Sequence, residues 1–171
     1  MVGRCVYIIP MRSNLDKDLR EEILESNTTM TPTARPRILV ADDEPVIRQR
    51  LQELGENLGF QTQAARDGME AWEMYQDGRP DLAILDIYMP RMNGLTVLAR
   101  IKESDPEVPV IIITGFMHYE QLIMSGGGIR PDGCIIKPMN STQTAQLILN
   151  LARKRLESYT AVSFDEEPVE A

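Results

Sequence analysis

The sequence predicts an α/β fold, a doubly wound five-stranded parallel sheet with helices on both faces. Three observations predict it. Short apolar runs rich in β-branched residues recur without the alternation of a half-exposed strand, as strands buried on both faces require. Stretches of helical periodicity separate these runs, and strand–helix alternation repeated in this way builds a layered α/β domain. Four of the runs also stop abruptly at a polar residue.

Taken in order, Ile38-Leu39-Val40-Ala41 is the first run, and it ends in Asp42-Asp43. Ile47, Leu51, Leu54 and Leu58 then share one helical face, with Pro45 in a first turn that tolerates proline. A weaker strand lies around residues 61–65. Leu82-Ala83-Ile84-Leu85 ends in Asp86, and Leu95, Leu98 and Ile101 mark a helix that stops before Pro106. Val110-Ile111-Ile112-Ile113 ends in Thr114, and Cys134-Ile135-Ile136 ends in Lys137. Ala145, Ile148, Leu149, Ala152 and Leu156 mark the last helix, with Ser141 as its candidate cap.

The chain divides into three parts. Residues 1–35 form an N-terminal extension and linker: a short charged helix over 16–26 is possible, and 27–36 is rich in Thr and Pro. Met30 offers an alternative start, so a translated extension and an upstream-start artefact both stay open. Residues 36–157 form the folded domain. Residues 158–171 hold Asp165, Glu166, Glu167 and Glu170 against no base and read as a disordered acidic tail. That tail carries half of the net charge of −8, while residues 1–36 balance five bases against five acids.

These balances exclude some classes. A net acidic chain lacks the basic excess of a nucleic-acid surface. No apolar run approaches the ~20 residues of a membrane span, and no cleavage site follows the interrupted run from Cys5 to Met11. Two distant cysteines, Cys5 and Cys134, suit a reducing compartment. The expectation is a cytoplasmic protein without a nucleic-acid or membrane partner.

The strand ends hold the chemistry. In an open parallel sheet the carboxyl ends of the strands line one edge, where ligands bind. Asp43, Asp86, Thr114 and Lys137, spaced 43, 28 and 23 positions apart, therefore converge there together with Asp42. Crowded carboxylates repel unless a cation neutralises them. An oxygen-only cluster that must also admit phosphate suits Mg2+. Aspartate is a competent covalent acceptor, lysine offers a point charge to phosphate oxygens, and threonine offers a donor. These are the parts of a phosphoryl-transfer site. Singly each residue has a plainer explanation, as a helix cap, a turn former, a surface lysine or a strand residue. Gly94 reads as a backbone requirement, and His118, the only histidine, as a solvated loop residue.

Asp42-Asp43-Glu44, the run from Asp86 to Gly94 (DIYMPRMNG), Thr114-Gly115 and Lys137-Pro138 occur in order over residues 36–157. In this combination the sequence resembles the receiver domains of two-component response regulators. The resemblance implies the flavodoxin-like strand order 2-1-3-4-5 and phosphorylation of Asp86. It implies Mg2+ held by Asp43, Asp86 and the backbone carbonyl of Tyr88, with Asp42 acting through water. Thr114 and Lys137 would bind phosphoryl oxygens, and Lys137-Pro138 would be a cis peptide. The implied partners are a histidine kinase or histidine phosphotransfer protein and an unknown downstream protein that responds to the shape change. No effector-sized segment flanks the domain, which predicts a single-domain regulator that accepts phosphate rather than a dedicated enzyme.

Departures from the family pattern matter too. Cys134 stands where the family usually has an aromatic switch residue, and it reads as a small buried strand residue ahead of a redox sensor. Residues 125–131 contain three glycines and a proline, which predicts a shortened helix near Met124 and unusual partner recognition. Tyr88 and Phe116, each two positions past a key residue, predict slow self-dephosphorylation by hindering water. Two alternatives remain. One is a receiver-like interaction module that works without phosphate. The other is an aspartyl phosphatase of the dehalogenase kind, disfavoured because Tyr88 stands where its second aspartate is needed.

Overall fold

The computed structural model describes residues 35–115 and 129–162, with side chains as far as residue 156. Expectations for residues 1–34, Phe116, His118, the glycines at 126–128 and the tail from 163 lie outside the described residues.

Five strands form the sheet: β1 (Arg37–Ala41), β2 (Gln61–Ala65), β3 (Leu82–Asp86), β4 (Val110–Gly115) and β5 (Gly133–Lys137). All pairings are parallel, and the order is β2-β1-β3-β4-β5. The described helices are α1 (Pro45–Asn57), α2 (Gly68–Gly78), α3 (Gly94–Ser104) and α4 (Ser141–Val162).

Strand alternation sorts the apolar residues into two layers. Ile38, Val40, Leu82, Ile84, Ile111, Ile113 and Ile135 face one side, where Leu51 of α1 and Ile148 and Ala152 of α4 cover them. Leu39, Ala41, Ala83, Leu85, Val110 and Ile112 face the other, under Ala71 and Tyr75 of α2 and Val97, Leu98 and Ile101 of α3. Both faces of β1, β3 and β4 are therefore dry, which explains the continuous apolar runs. β2, at one edge, carries the partly exposed sequence QTQAA and accordingly gave the weakest signal. Cys134 lies half buried at the rim of the second layer, less enclosed than the buried strand residue expected.

Two expectations need correction. Ser141 is the first residue of α4 rather than its cap. Asn140 caps it, its side-chain oxygen accepting from the Gln143 N–H at 3.0 Å. Both residue types cap well, so adjacency hides which one does. The helical backbone also runs on to Val162, past the boundary placed at 157. Proline, which would stop it, comes only at Pro168, so the acidic composition of the tail overstated how early the helix ends. Lys137-Pro138 is cis, as expected.

Candidate functional site

The ends of β1, β3, β4 and β5 bring their polar residues to one edge. Carboxylate oxygens of Asp42, Asp43 and Asp86 all lie within 4.8 Å of one another. Asp42 is fully buried, Asp86 nearly so, and Asp43 exposed. Local backbone contacts hold this arrangement. The Arg48 guanidinium donates to the carbonyl of Asp42 at 2.8 Å and more weakly to that of Asp43 at 3.4 Å. The Glu44 N–H donates to Asp42 Oδ1 at 2.8 Å.

Lys137, on the far strand β5, reaches back over this cluster. Its Nζ lies 2.8 Å from Glu44 Oε1, 3.2 Å from Asp42 Oδ2 and 3.3 Å from Asp86 Oδ1. One ammonium thus faces several carboxylates, and the deficit shows in their acidities. Burial pushes Asp86 up to about 6; Lys137 opposes the shift, and neighbouring Asp42 and Asp43 add to it. Burial likewise raises Asp42, against the Glu44 N–H and Lys137. Burial alone would lower Lys137, but its hydrogen bond to Glu44 and the fields of Asp86 and Asp42 win, holding it well above its usual range.

Asp42 Oδ2 is buried and makes no hydrogen bond, although it stands in ion-pair range of Lys137. The distance is short enough, so it is the direction that fails. The contact lies off the line of a regular hydrogen bond. A buried carboxylate oxygen without a donor is costly, and a hard cation among three such carboxylates would satisfy it. The donor set therefore fits Mg2+.

The loop that follows Asp86 is shaped around it. The Tyr88 N–H donates to Asp86 Oδ2 at 3.2 Å, which sets the Tyr88 backbone beside the carboxylate while its ring stays half exposed. Gly94 closes the loop, its N–H bonded to the Ile87 carbonyl at 3.0 Å. A Cβ there would sit 2.0 Å from the Asp86 carbonyl oxygen, so this position excludes any side chain. At the end of β4, Thr114 is buried, and its hydroxyl donates to the Gly115 carbonyl at 3.1 Å rather than to a carboxylate.

Asp42, Asp43, Asp86 and Lys137 are thus assembled, with Tyr88 alongside. Thr114 sits on the same edge, across from Ile136, with its hydroxyl turned to its own backbone. Two features escaped sequence reasoning. Glu44 was noted only as part of a motif, yet it is the carboxylate nearest Lys137. Asp67 caps α2 through the Met69 and Glu70 N–H groups and also binds Arg91 Nε at 2.9 Å, clasping the loop after Asp86. Burial pushes Asp67 up, but the Arg91 guanidinium and those amides outweigh it, leaving the carboxyl below its usual range. Arg91 adopts a left-handed backbone, φ 64°, to make this reach. An Asp-Gly pair opening a helix signals the cap, but no sequence signal links positions 67 and 91.

Comparison with known proteins agrees with this fold. The model of the response regulator receiver domain matches residues 38–149. A protein-glutamate methylesterase/protein-glutamine glutaminase of Anaeromyxobacter dehalogenans is 44% identical over 80 residues, covering 47% of this chain and 23% of that protein. The response regulator MprA of Mycobacterium ulcerans is 37% identical over 78 residues, covering 46% of this chain and 34% of that protein. The chain thus spans about a quarter to a third of the length of these curated relatives. Among solved structures, a response regulator receiver domain from Clostridium thermocellum superposes with a TM-score of 0.64 at 29% identity, covering 71% of this chain and 98% of that one.

Proposed function

The chain belongs to the response regulator receiver domain family, and on that premise we propose that Asp86 is the residue that accepts the phosphoryl group. The observation that carries this is the convergence of three carboxylates and one lysine on a buried edge, with Asp42 Oδ2 left without a donor.

In the reaction a carboxylate oxygen of Asp86 attacks phosphorus. A new O–P bond forms, and the bond from phosphorus to the donor's leaving group breaks, the electron pair departing with that group. Lys137 is placed to bind one of the transferred oxygens, since its ammonium already stands 3.3 Å from Asp86 Oδ1. Thr114 would bind another once its hydroxyl turns from the Gly115 carbonyl. The Tyr88 N–H holds Asp86 Oδ2 and so fixes the carboxylate plane. Asp43, Asp86 and the Tyr88 carbonyl would hold Mg2+, with Asp42 acting through water. When bound, the ion supplies the positive charge that the acids and the phosphoryl oxygens lack. Tyr88 follows the acceptor by two positions and its backbone bonds to Asp86; a bulky side chain there would hinder attack by water and so slow self-dephosphorylation.

The donor would be a histidine kinase or a histidine phosphotransfer protein, and the output a shape change read by a downstream protein. The added charge of about −1.5 to −2 would drive that change. A phosphate-independent module is disfavoured by the assembled edge, because repelling buried acids serve no purpose in a passive scaffold.

The test is to incubate the protein and its Asp86→Asn variant with Mg2+ and acetyl phosphate and to weigh both intact. A phosphate-sized gain on the wild type alone is expected. No gain on either protein, with a known receiver labelled alongside, would overturn the reading.

A further inference from the structure

The carboxylate that holds Lys137 most closely is Glu44, ahead of Asp42 and Asp86: the distances are 2.8 Å against 3.2 and 3.3 Å. Glu44 stands at the N-cap position of α1, yet its side chain makes no cap hydrogen bond. Instead it crosses to a strand end 93 positions away. That is a poor use of the residue for stability. Its side chain is 60% exposed, and exposed ion pairs stabilise little, whereas a shorter acidic or hydroxyl residue would cap the helix start.

Lysine has three N–H donors. Here Glu44 takes one in a 2.8 Å hydrogen bond, and Asp42 and Asp86 hold the same ammonium in ion-pair range, so an incoming group must compete with three carboxylates for it. A phosphoryl group on Asp86 would bring strong acceptor oxygens to the same ammonium and would repel the Glu44 carboxylate. Of the three competitors, Glu44 is the exposed one, and it alone is free to swing away. One helical turn on, Arg48 offers a second cation at i+4, already anchored to the Asp42 and Asp43 carbonyls.

We propose that Glu44 is a positioning residue that latches Lys137 in the unphosphorylated protein and must release it for phosphoryl transfer to Asp86. The proposal rests on Asp86 being the acceptor. Glu44 acts through Lys137 and touches no reacting atom. It sets how readily the site accepts a donor.

The test measures initial rates of acetyl phosphate labelling at saturating Mg2+, over a range of donor concentrations, for the wild type, Glu44→Gln and Glu44→Asp. Aspartate keeps the charge but is one methylene too short to reach Lys137, and at an N-cap it is drawn to the helix amides instead. The latch predicts that both variants lower the donor concentration for half-maximal rate, by about two- to five-fold, with the maximal rate little changed. Faster labelling in Glu44→Gln with wild-type behaviour in Glu44→Asp would reduce the effect to net charge and overturn the latch. So would unchanged or slower labelling in both. A wild type that takes no label at all would overturn the acceptor assignment itself, which separates the two failures.

Discussion

The two edges of this one sheet treat aspartate in opposite ways. At the edge where strands begin, each carboxylate has its own donors. Asp81 accepts from the Arg37 N–H at 2.7 Å. Asp132 accepts from the Val110 N–H at 2.7 Å and pairs with Lys102 at 2.7 Å. Asp105, after α3, pairs with Arg155 at 2.6 Å. At the edge where strands end, Asp42, Asp43 and Asp86 crowd one another, one lysine serves Asp42, Glu44 and Asp86 together, and a buried oxygen goes without a hydrogen bond. The first edge tethers strand starts and closes loops. The second is held short of positive charge, and that shortage is what a cation and a phosphoryl site require. Residue type is the same at both edges; what separates structure from function is the ratio of donors to carboxylates.

The largest expected effect comes from breaking the ending edge outright. Lys137→Met removes its one ammonium and leaves Asp42 and Asp86 buried without a counter-charge. Stability at pH 7 in a chelator should fall by about 3 kcal/mol, read by urea unfolding, and labelling should be lost. A fall below about 0.5 kcal/mol would show that Lys137 is not holding the acids.

A smaller effect of opposite sign should follow from Asp86→Asn. In the fold Asp86 is raised from 3.8 to about 6, so the folded state binds more protons than the unfolded one between those values. Wild-type stability from this group is therefore full below pH ~4 and declines as pH rises toward about 6, then levels off. Asp86→Asn should remove that decline and be the more stable protein at pH 7, by about 1–2 kcal/mol after allowing for solvent screening. Urea unfolding of both proteins across pH 4–8 checks it. Parallel curves would mean that Asp86 is not strained. Asp67, shifted the other way, contributes stability that is lost below pH ~4; it cancels in the difference because both proteins share it.

The starting edge sharpens the contrast. Asp132→Ala removes the tether to Val110 and the partner of Lys102, and should cost about 1–2 kcal/mol. Labelling of Asp86 should stay at the wild-type rate, because this edge lies at the opposite end of the strands. A labelling rate that fell with stability would join the two edges energetically and weaken the distinction.

Much of this was legible from the sequence. Isoleucine and valine runs with both faces buried identify β1, β3 and β4, and the polar residue closing each run marks the functional edge. Parallel topology does the rest, since it forces strand ends together regardless of separation in sequence. What stayed hidden depends on individual side-chain placement. The bond between Glu44 and Lys137 joins positions 93 apart through a rotamer choice that competes with helix capping. The clasp of Asp67 by Arg91 depends on a left-handed backbone at a non-glycine residue, which composition does not announce. Helix α2 went unmarked because glycines stand at both of its ends, where they read as punctuation. The Gly68 position is in fact packed so closely that a Cβ would lie 1.9 Å from the Met92 carbonyl oxygen.

The most direct measurement locates the phosphate among the three carboxylates. The protein labelled with acetyl phosphate and Mg2+ would be reduced with borohydride, which converts an aspartyl phosphate to homoserine, and then digested and sequenced by mass spectrometry. Homoserine at position 86 alone is the predicted result. Homoserine at 42 or 43, or at none of the three in a protein that gains phosphate mass, would contradict the assignment of Asp86 as the acceptor.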